Sequence, residues 1–142
     1  MKKFEWIEHP ADAGFRAYGS DLEEAFENAA LALAEIIGKT DNVETKEEIS
    51  IEIESEDLEA LLFDWLDHFV YMFGAKDFIA SEFEVEEISK EKEGYKLIAK
   101  AKGEEYNSEK HGPGTEVKAI TYHMMDIIRQ TDHCSVQVIV DV

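Results

Sequence analysis

The sequence predicts an α+β fold: one domain of about seven mostly antiparallel strands with two helices, the second buried between sheet layers. Residues 20–38 and 55–74 repeat apolar side chains at helical spacing, while the other structured segments alternate apolar and polar residues. Four predicted strands follow the second helix without another helix between them, an order typical of α+β proteins. The 142 residues contain no linker or internal repeat, so we expect one domain, 1–142.

The N-terminal region predicts two short strands followed by a helix. Strands Phe4–Ile7 and Ala13–Tyr18 are separated by a segment that contains a proline, which interrupts regular structure. A capping box follows, in which Ser20 caps the helix and the Glu23 side chain reaches back to the chain. Gly38 ends the apolar repeat and therefore the helix.

The second helix is apolar around most of its circumference. Strand 48–55 precedes it and alternates isoleucines with acids, as a half-buried strand does. The apolar stripe of the helix is widened by four further side chains, namely Phe63, Val70, Tyr71 and Met72. A helix of this kind needs cover on more than one side, which places it between layers.

The C-terminal half predicts two hairpins. Segments 78–88 and 95–105 alternate across a charged turn that ends in a glycine. Segment 116–129 fits either an apolar helical stripe or a strand. Its β-branched residues and the matching segment 135–142 favour a long closing hairpin, with the turn at 130–133.

Charge and cysteine content narrow the classes of function. The chain has 33 acidic and 14 basic residues, a formal net charge of −19. That charge disfavours direct binding to nucleic acid or to an anionic membrane, and it suits a cation or a basic protein partner. Cys134 is the one cysteine, so neither an internal disulfide nor a cysteine-based zinc site is possible. We expect a cytoplasmic protein, because no signal peptide or long apolar span is present.

Asp12 and the Asp141-Val142 end are the candidates for a cation site. An aspartate between two strands is commonly a turn former, although a carboxylate in such a position also suits a hard cation. If the first and last strands are neighbours, the side chains of Asp12 and Asp141 converge with the terminal carboxylate of Val142. These acidic groups repel each other unless a cation or a lysine neutralises them. Lys118 lies between apolar residues, where an outward orientation is the default. No nucleophile–base pair or phosphate-binding loop is evident, so the residues alone indicate an acidic domain with a possible cation site.

Three blocks of sequence together resemble the archease family. They are HPADAGFRAYGSDLEEAFENAALAL at 9–33, LLFDWLDHFVYMF at 61–73, and KHGPGTEVKAITYHMM at 110–125 followed by VIVDV at 138–142. The resemblance implies a non-catalytic protein cofactor that promotes guanylylation and multiple turnover of the RtcB-type tRNA-splicing ligase and broadens its nucleotide use. RNA would then be contacted only through the ligase.

The resemblance also implies the functional residues. The implied ligands of a divalent cation, expected to be Ca²⁺ in the isolated protein, are Asp12, Asp141 and Val142. Lys118 is the implied activating residue, with His9 and His123 as weaker candidates. The chain departs from the family pattern at Pro10, where threonine is more common, and at Cys134-Ser135, where an aromatic residue is common. Neither departure removes an implied ligand.

Two other functions are compatible with the same residues. One is a metal-dependent phosphoester hydrolase that uses Asp12, Asp141 and His9. The other is a chaperone-like protein that binds many nucleic-acid enzymes. A hydrolase would turn over phosphoesters alone, whereas an activator would require its ligase.

Overall fold

A computed structural model describes residues 2–8 and 12–142, so His9, Pro10 and Ala11 lie outside the described residues. The elements, in chain order, are β1 (Phe4–Ile7), β2 (Asp12–Gly19), α1 (Leu22–Ile37), β3 (Glu47–Ser55), α2 (Leu58–Lys76), β4 (Phe78–Glu91), β5 (Gly94–Glu105), α3 (Ser108–His111), β6 (Ala119–Ile120), β7 (Asp126–Arg129) and β8 (Cys134–Asp141). A short 3₁₀ turn, Thr40–Asn42, follows α1.

The strands form two antiparallel sheets. The larger sheet has the order β1-β2-β8-β6, and β7 also pairs with β8. The smaller sheet has the order β3-β5-β4. The predicted α+β fold is therefore confirmed. In addition, the described residues contain a third helix of one turn, α3, that was not predicted.

Both long helices lie between the sheets. α1 packs against β2 of the larger sheet and β4 of the smaller one. α2 contacts all three strands of the smaller sheet, β6 and β7 of the larger sheet, and α1. The fully buried Trp65 donates its indole N–H to the Phe26 carbonyl oxygen at 2.9 Å and so joins the two helices. The predicted position of the second helix between the sheet layers is confirmed, and the first helix also lies between the two sheets.

The predicted capping box of α1 is wrong by one residue. Asp21, rather than Ser20, is the N-cap and accepts a hydrogen bond from the backbone N–H of Glu24 at 2.8 Å. The Glu24 carboxylate, rather than that of Glu23, reaches back and accepts from the Ser20 N–H at 2.7 Å. The helix begins at Leu22, whose side chain is buried, and the cap is therefore the residue before it.

The predicted closing hairpin is present, but its first strand is interrupted. Ala119 pairs with Asp141, and Asp126 pairs with Gln137. The first strand thus advances seven residues (126 − 119) while its partner advances four (141 − 137), leaving three extra residues. These extra residues are accommodated in the turn 121–125, which connects β6 to β7. The predicted turn at 130–133 is closed by a hydrogen bond of 2.9 Å from the Gln130 N–H to the His133 carbonyl oxygen.

Within the described ranges, no helix combines the length and the apolarity that crossing a membrane requires.

Candidate metal-binding and partner-binding edge

The topology of the larger sheet brings the predicted site residues together. β8 lies between β2 and β6, and Asp141 is opposite Asp12 on one side and Ala119 on the other. Lys118 directly precedes β6, and Val142 directly follows β8. We refer to Asp12, Lys118, Asp141 and Val142 as the carboxylate edge.

Asp12 is the first residue of β2, so it is a strand residue and not the turn former that its sequence context favoured. Residues directly opposite each other in an antiparallel pair share a face of the sheet, with Cβ atoms about 4.5–5.5 Å apart. The Asp12 and Asp141 side chains therefore emerge side by side. Two carboxylates in these positions repel each other, and their oxygens are the ligands that hard cations prefer.

Lys118 is held beside these carboxylates by its backbone. Its N–H donates to the Asp141 carbonyl oxygen at 2.8 Å, and its side chain is exposed. Thr121 anchors the other end of β6, because its N–H and its hydroxyl both donate to the Ile139 carbonyl oxygen, at 3.2 and 2.7 Å. The ammonium group is thus carried on backbone that is fixed to β8 at both ends.

The two carboxylates suit a divalent cation but supply only part of its ligands. Among residues 2–8 and 12–142, no three or more His, Cys, Asp or Glu side chains are grouped to hold a metal. Ca²⁺ takes six to eight oxygen ligands, including backbone carbonyls and waters. A cation here would therefore need backbone oxygen in addition to Asp12 and Asp141, and the half-buried Val142 is the adjacent source.

The two histidine candidates are not part of the described edge. His9 lies outside the described residues. His123 is exposed in the turn 121–125, beyond the end of β6. The structure therefore places Asp12, Asp141, Val142 and Lys118 together and leaves His123 on a neighbouring surface.

Arg16 cross-links the strands of the larger sheet, and no sequence pattern marks it for this role. Its guanidinium donates to Ser135 Oγ at 2.7 Å, to Asp126 Oδ2 at 2.9 Å and to Gln137 Oε1 at 3.1 Å. These contacts join β2, β8 and β7 on the face that carries Asp12, since alternate residues of a strand share a face. The side chain is only 18% exposed. Recognising this cross-link requires the register of all three strands.

A polar cluster around the buried residues Glu104 and His111, which we call the loop clamp, holds the loop that leads to Lys118. The clamp comprises Glu44, Glu104, Lys110 and His111. His111 is fully buried, and its Nδ1 accepts from the Asn107 N–H at 3.0 Å. Its proton is therefore on Nε2, which donates to Glu104 Oε2 at 3.0 Å.

Glu104 is the centre of the loop clamp. It accepts from the backbone N–H of Glu44 at 2.7 Å and from Lys110 Nζ at 2.8 Å, besides the contact with His111. These hydrogen bonds, that of the Glu44 N–H foremost, lower the pKa of Glu104 to about 2. A buried carboxylate that accepts hydrogen bonds from three donors has a structural role.

The clamped loop also binds the C-terminal end of α1. The Lys39 N–H donates to the His111 carbonyl oxygen at 2.9 Å, and the Thr115 N–H donates to that of Ile37 at 3.3 Å. Gly114 has a φ of 65°, and a Cβ there would lie 2.2 Å from the Ile37 oxygen. Glycine is therefore required, and the KHGPGT block acts as a scaffold that delivers Lys118 to the edge.

The sequence model of the Archease protein family (MTH1598/TM1083) matches residues 4–142. The protein archease of Pyrococcus abyssi is 48% identical over 132 residues, 93% of this chain and 92% of its own length. That of Methanosarcina mazei is 42% identical over 141 residues, 99% of this chain and 97% of its own.

Two solved structures share the fold. The solution structure of protein 1598 of Methanobacterium thermoautotrophicum is 43% identical with a TM-score of 0.83, covering 100% of both chains. The crystal structure of an archease of Thermotoga maritima, described as a possible chaperone, is 26% identical with a TM-score of 0.60. It covers 96% of this chain and 94% of its own.

Proposed function

This chain belongs to the archease family, and we propose that it is a non-catalytic protein cofactor of the RtcB-type tRNA-splicing ligase. In this role it promotes guanylylation and multiple turnover of the ligase and broadens its nucleotide use. It acts in the cytoplasm and contacts RNA only through the ligase.

The carboxylate edge is the observation that carries this proposal. Asp12 and Asp141 are register partners, and the backbone of Lys118 is bonded to Asp141. The family resemblance assigns these same residues to cation binding and to activation. Asp12 and Asp141 come from two different strands and Lys118 from the residue before a third, and their convergence supports a shared task for them.

The edge residues have separate parts in the proposed mechanism. Asp12, Asp141 and backbone oxygen of Val142 would hold a divalent cation, which supplies positive charge to a site that is otherwise strongly acidic. Lys118 presents its ammonium group beside that site, on backbone that Asp141 fixes. We propose that this ammonium engages anionic groups at the ligase active site during guanylylation.

The net charge supports a protein partner. An RNA ligase needs basic surface to bind its substrate, and the −19 charge of this chain is complementary to such a surface. The description of the Thermotoga relative as a possible chaperone favours, as a second candidate, a chaperone-like binder of nucleic-acid enzymes.

The first test measures multiple-turnover RNA ligation and ligase guanylylation by an RtcB-type ligase with and without this chain. We expect wild type to raise turnover roughly tenfold or more, and Lys118→Ala, Asp12→Asn and Asp141→Asn to lose most of the gain. Matched controls are Lys92→Ala and Asp67→Asn, both at exposed positions that are not part of the carboxylate edge. Unchanged turnover with wild type would refute the ligase role, and phosphoester cleavage by the chain alone would favour a hydrolase.

The second test concerns the cation. Ligand at one hundred times its Kd stabilises the folded state by about 2.7 kcal/mol, so Ca²⁺ should raise the melting temperature of the isolated protein. Asp141→Asn should abolish that rise, while Asp67→Asn should keep it. A Ca²⁺ response that survives both Asp12→Asn and Asp141→Asn would refute this metal site and leave the ligase role open.

A further inference from the structure

A short turn beside the carboxylate edge exposes large apolar side chains. In the turn 121–125, Tyr122 is 55% exposed and Met124 is 50% exposed. The turn follows β6, which begins directly after Lys118, and it lies alongside residues 137–139 of β8. At about 3.3 Å per residue, it is roughly 7–13 Å from Asp141 along that strand.

Tyr122 is exposed but held in place. Its ring stacks on that of Phe63 of α2, with centroids 4.7 Å apart and planes 12° from parallel. One face of the ring is thus covered, and the rest of the side chain is presented to solvent. A rigid aromatic side chain loses little conformational entropy when a partner buries it, which is typical of binding hot spots.

Met124 occupies backbone that disfavours its side chain. Its φ is 55°, in the left-handed region where glycine is favoured. Two hydrogen bonds hold it there: from the Met125 N–H to the Tyr122 carbonyl oxygen at 3.1 Å, and from Gln137 Nε2 to the Met124 carbonyl oxygen at 2.9 Å. A strained conformation that neighbours enforce, and that exposes an apolar side chain, points to a function at this turn.

The surroundings of Tyr122 are acidic. Burial raises the pKa of its hydroxyl, and four nearby carboxylates raise it further. In order of decreasing effect they are Asp64, Asp57, Glu56 and Glu59. The exposed apolar side chains are therefore bordered by negative charge on the side of α2.

We propose that Phe63, Tyr122 and Met124, the turn patch, form the anchor by which this chain docks on a basic protein surface with an apolar socket. This inference rests on the proposed function and identifies that surface with the ligase. The turn patch determines affinity, whereas the carboxylate edge determines activation. The acidic border disfavours RNA as the occupant, because it repels phosphate groups. It also disfavours a symmetric contact between two copies, in which the border would face itself.

The test separates binding from activation. Binding of the chain to an RtcB-type ligase is titrated at two salt concentrations, and activation is measured at saturating chain. We expect Tyr122→Ala to raise Kd roughly tenfold or more with the maximal activation unchanged, and Tyr122→Phe to keep the wild-type Kd. Asp64→Asn should raise Kd less and should reduce the salt dependence of binding.

Trp6→Ala is the matched control, because Trp6 is 54% exposed on β1, at the opposite edge of the larger sheet. It should bind as wild type does, and thermal melts establish that each variant is folded. Wild-type affinity in folded Tyr122→Ala, or equal weakening by Trp6→Ala, would overturn the docking site while the proposed function stands. Wild type that neither binds nor activates the ligase would refute the proposed function itself. Binding of the chain to RNA in the absence of the ligase would also overturn the inference. So would self-association of the wild type that Tyr122→Ala abolishes.

Discussion

The loop clamp and the carboxylate edge both place a lysine beside carboxylates, but the central carboxylate of the first is buried, whereas those of the second lie near the surface. In the loop clamp, Glu104 is buried and accepts hydrogen bonds from a backbone amide, a lysine and a histidine. At the carboxylate edge, two aspartates are register partners near the surface, and the lysine side chain beside them is exposed. Buried and satisfied charges fix a fold, whereas like charges that emerge together are suited to binding a cation.

The largest expected effect comes from removing the centre of the loop clamp. Glu104→Ala leaves the Glu44 N–H and the buried His111 without their acceptor, and we expect unfolding free energy to fall by about 2–3 kcal/mol. Chemical denaturation measures this change, with Glu105→Ala at the exposed neighbouring position as the control. A loss equal to that of the control would mean that the clamp is not structural.

The second-largest expected effect is a loss of stability at acid pH that comes from Glu104 in the loop clamp. The pKa of Glu104 is about 2 in the folded protein and 4.5 ordinarily, so the unfolded chain binds more protons between these values. The stabilisation that its charge provides is therefore present above pH 4.5 and is lost as pH falls through about 2.

Comparison with Glu104→Gln isolates this contribution, because the other carboxylates titrate in both proteins. We expect the stability difference between wild type and Glu104→Gln to narrow as pH falls from 4.5 toward 2. Denaturation midpoints across this range provide the measurement. A difference that is independent of pH would contradict the assigned role of the Glu104 charge.

The smallest effect should be of opposite sign and at the carboxylate edge. Without divalent cation, Asp141→Asn removes the repulsion between register partners, so we expect stability to rise by about 0.5 kcal/mol at low salt. The gain should shrink as salt screens the charges. Melting curves in chelator measure it, with Asp67→Asn for comparison. Marked destabilisation would show that Asp141 supports the fold and would remove the contrast with the loop clamp.

Periodicity and composition predicted much of the architecture. The α+β class, both long helices and the hairpin of 78–105 are confirmed, because each depends on a local apolar pattern that one sheet or helix face must bury. The capping box was displaced by one residue, since the burial of Leu22 decides where α1 begins. The roles of Asp12, Asp141, Val142 and Lys118 stay predictions.

The sequence by itself therefore determined the two long helices, the main strands, their order and the acidic character of the chain. Only the tertiary structure decided that Asp12 faces Asp141, that Arg16 joins three strands, and that 121–125 interrupts the closing hairpin. The physical reason is strand register. A local pattern fixes which face of a strand is buried, but the residue that lies opposite depends on how distant segments pair.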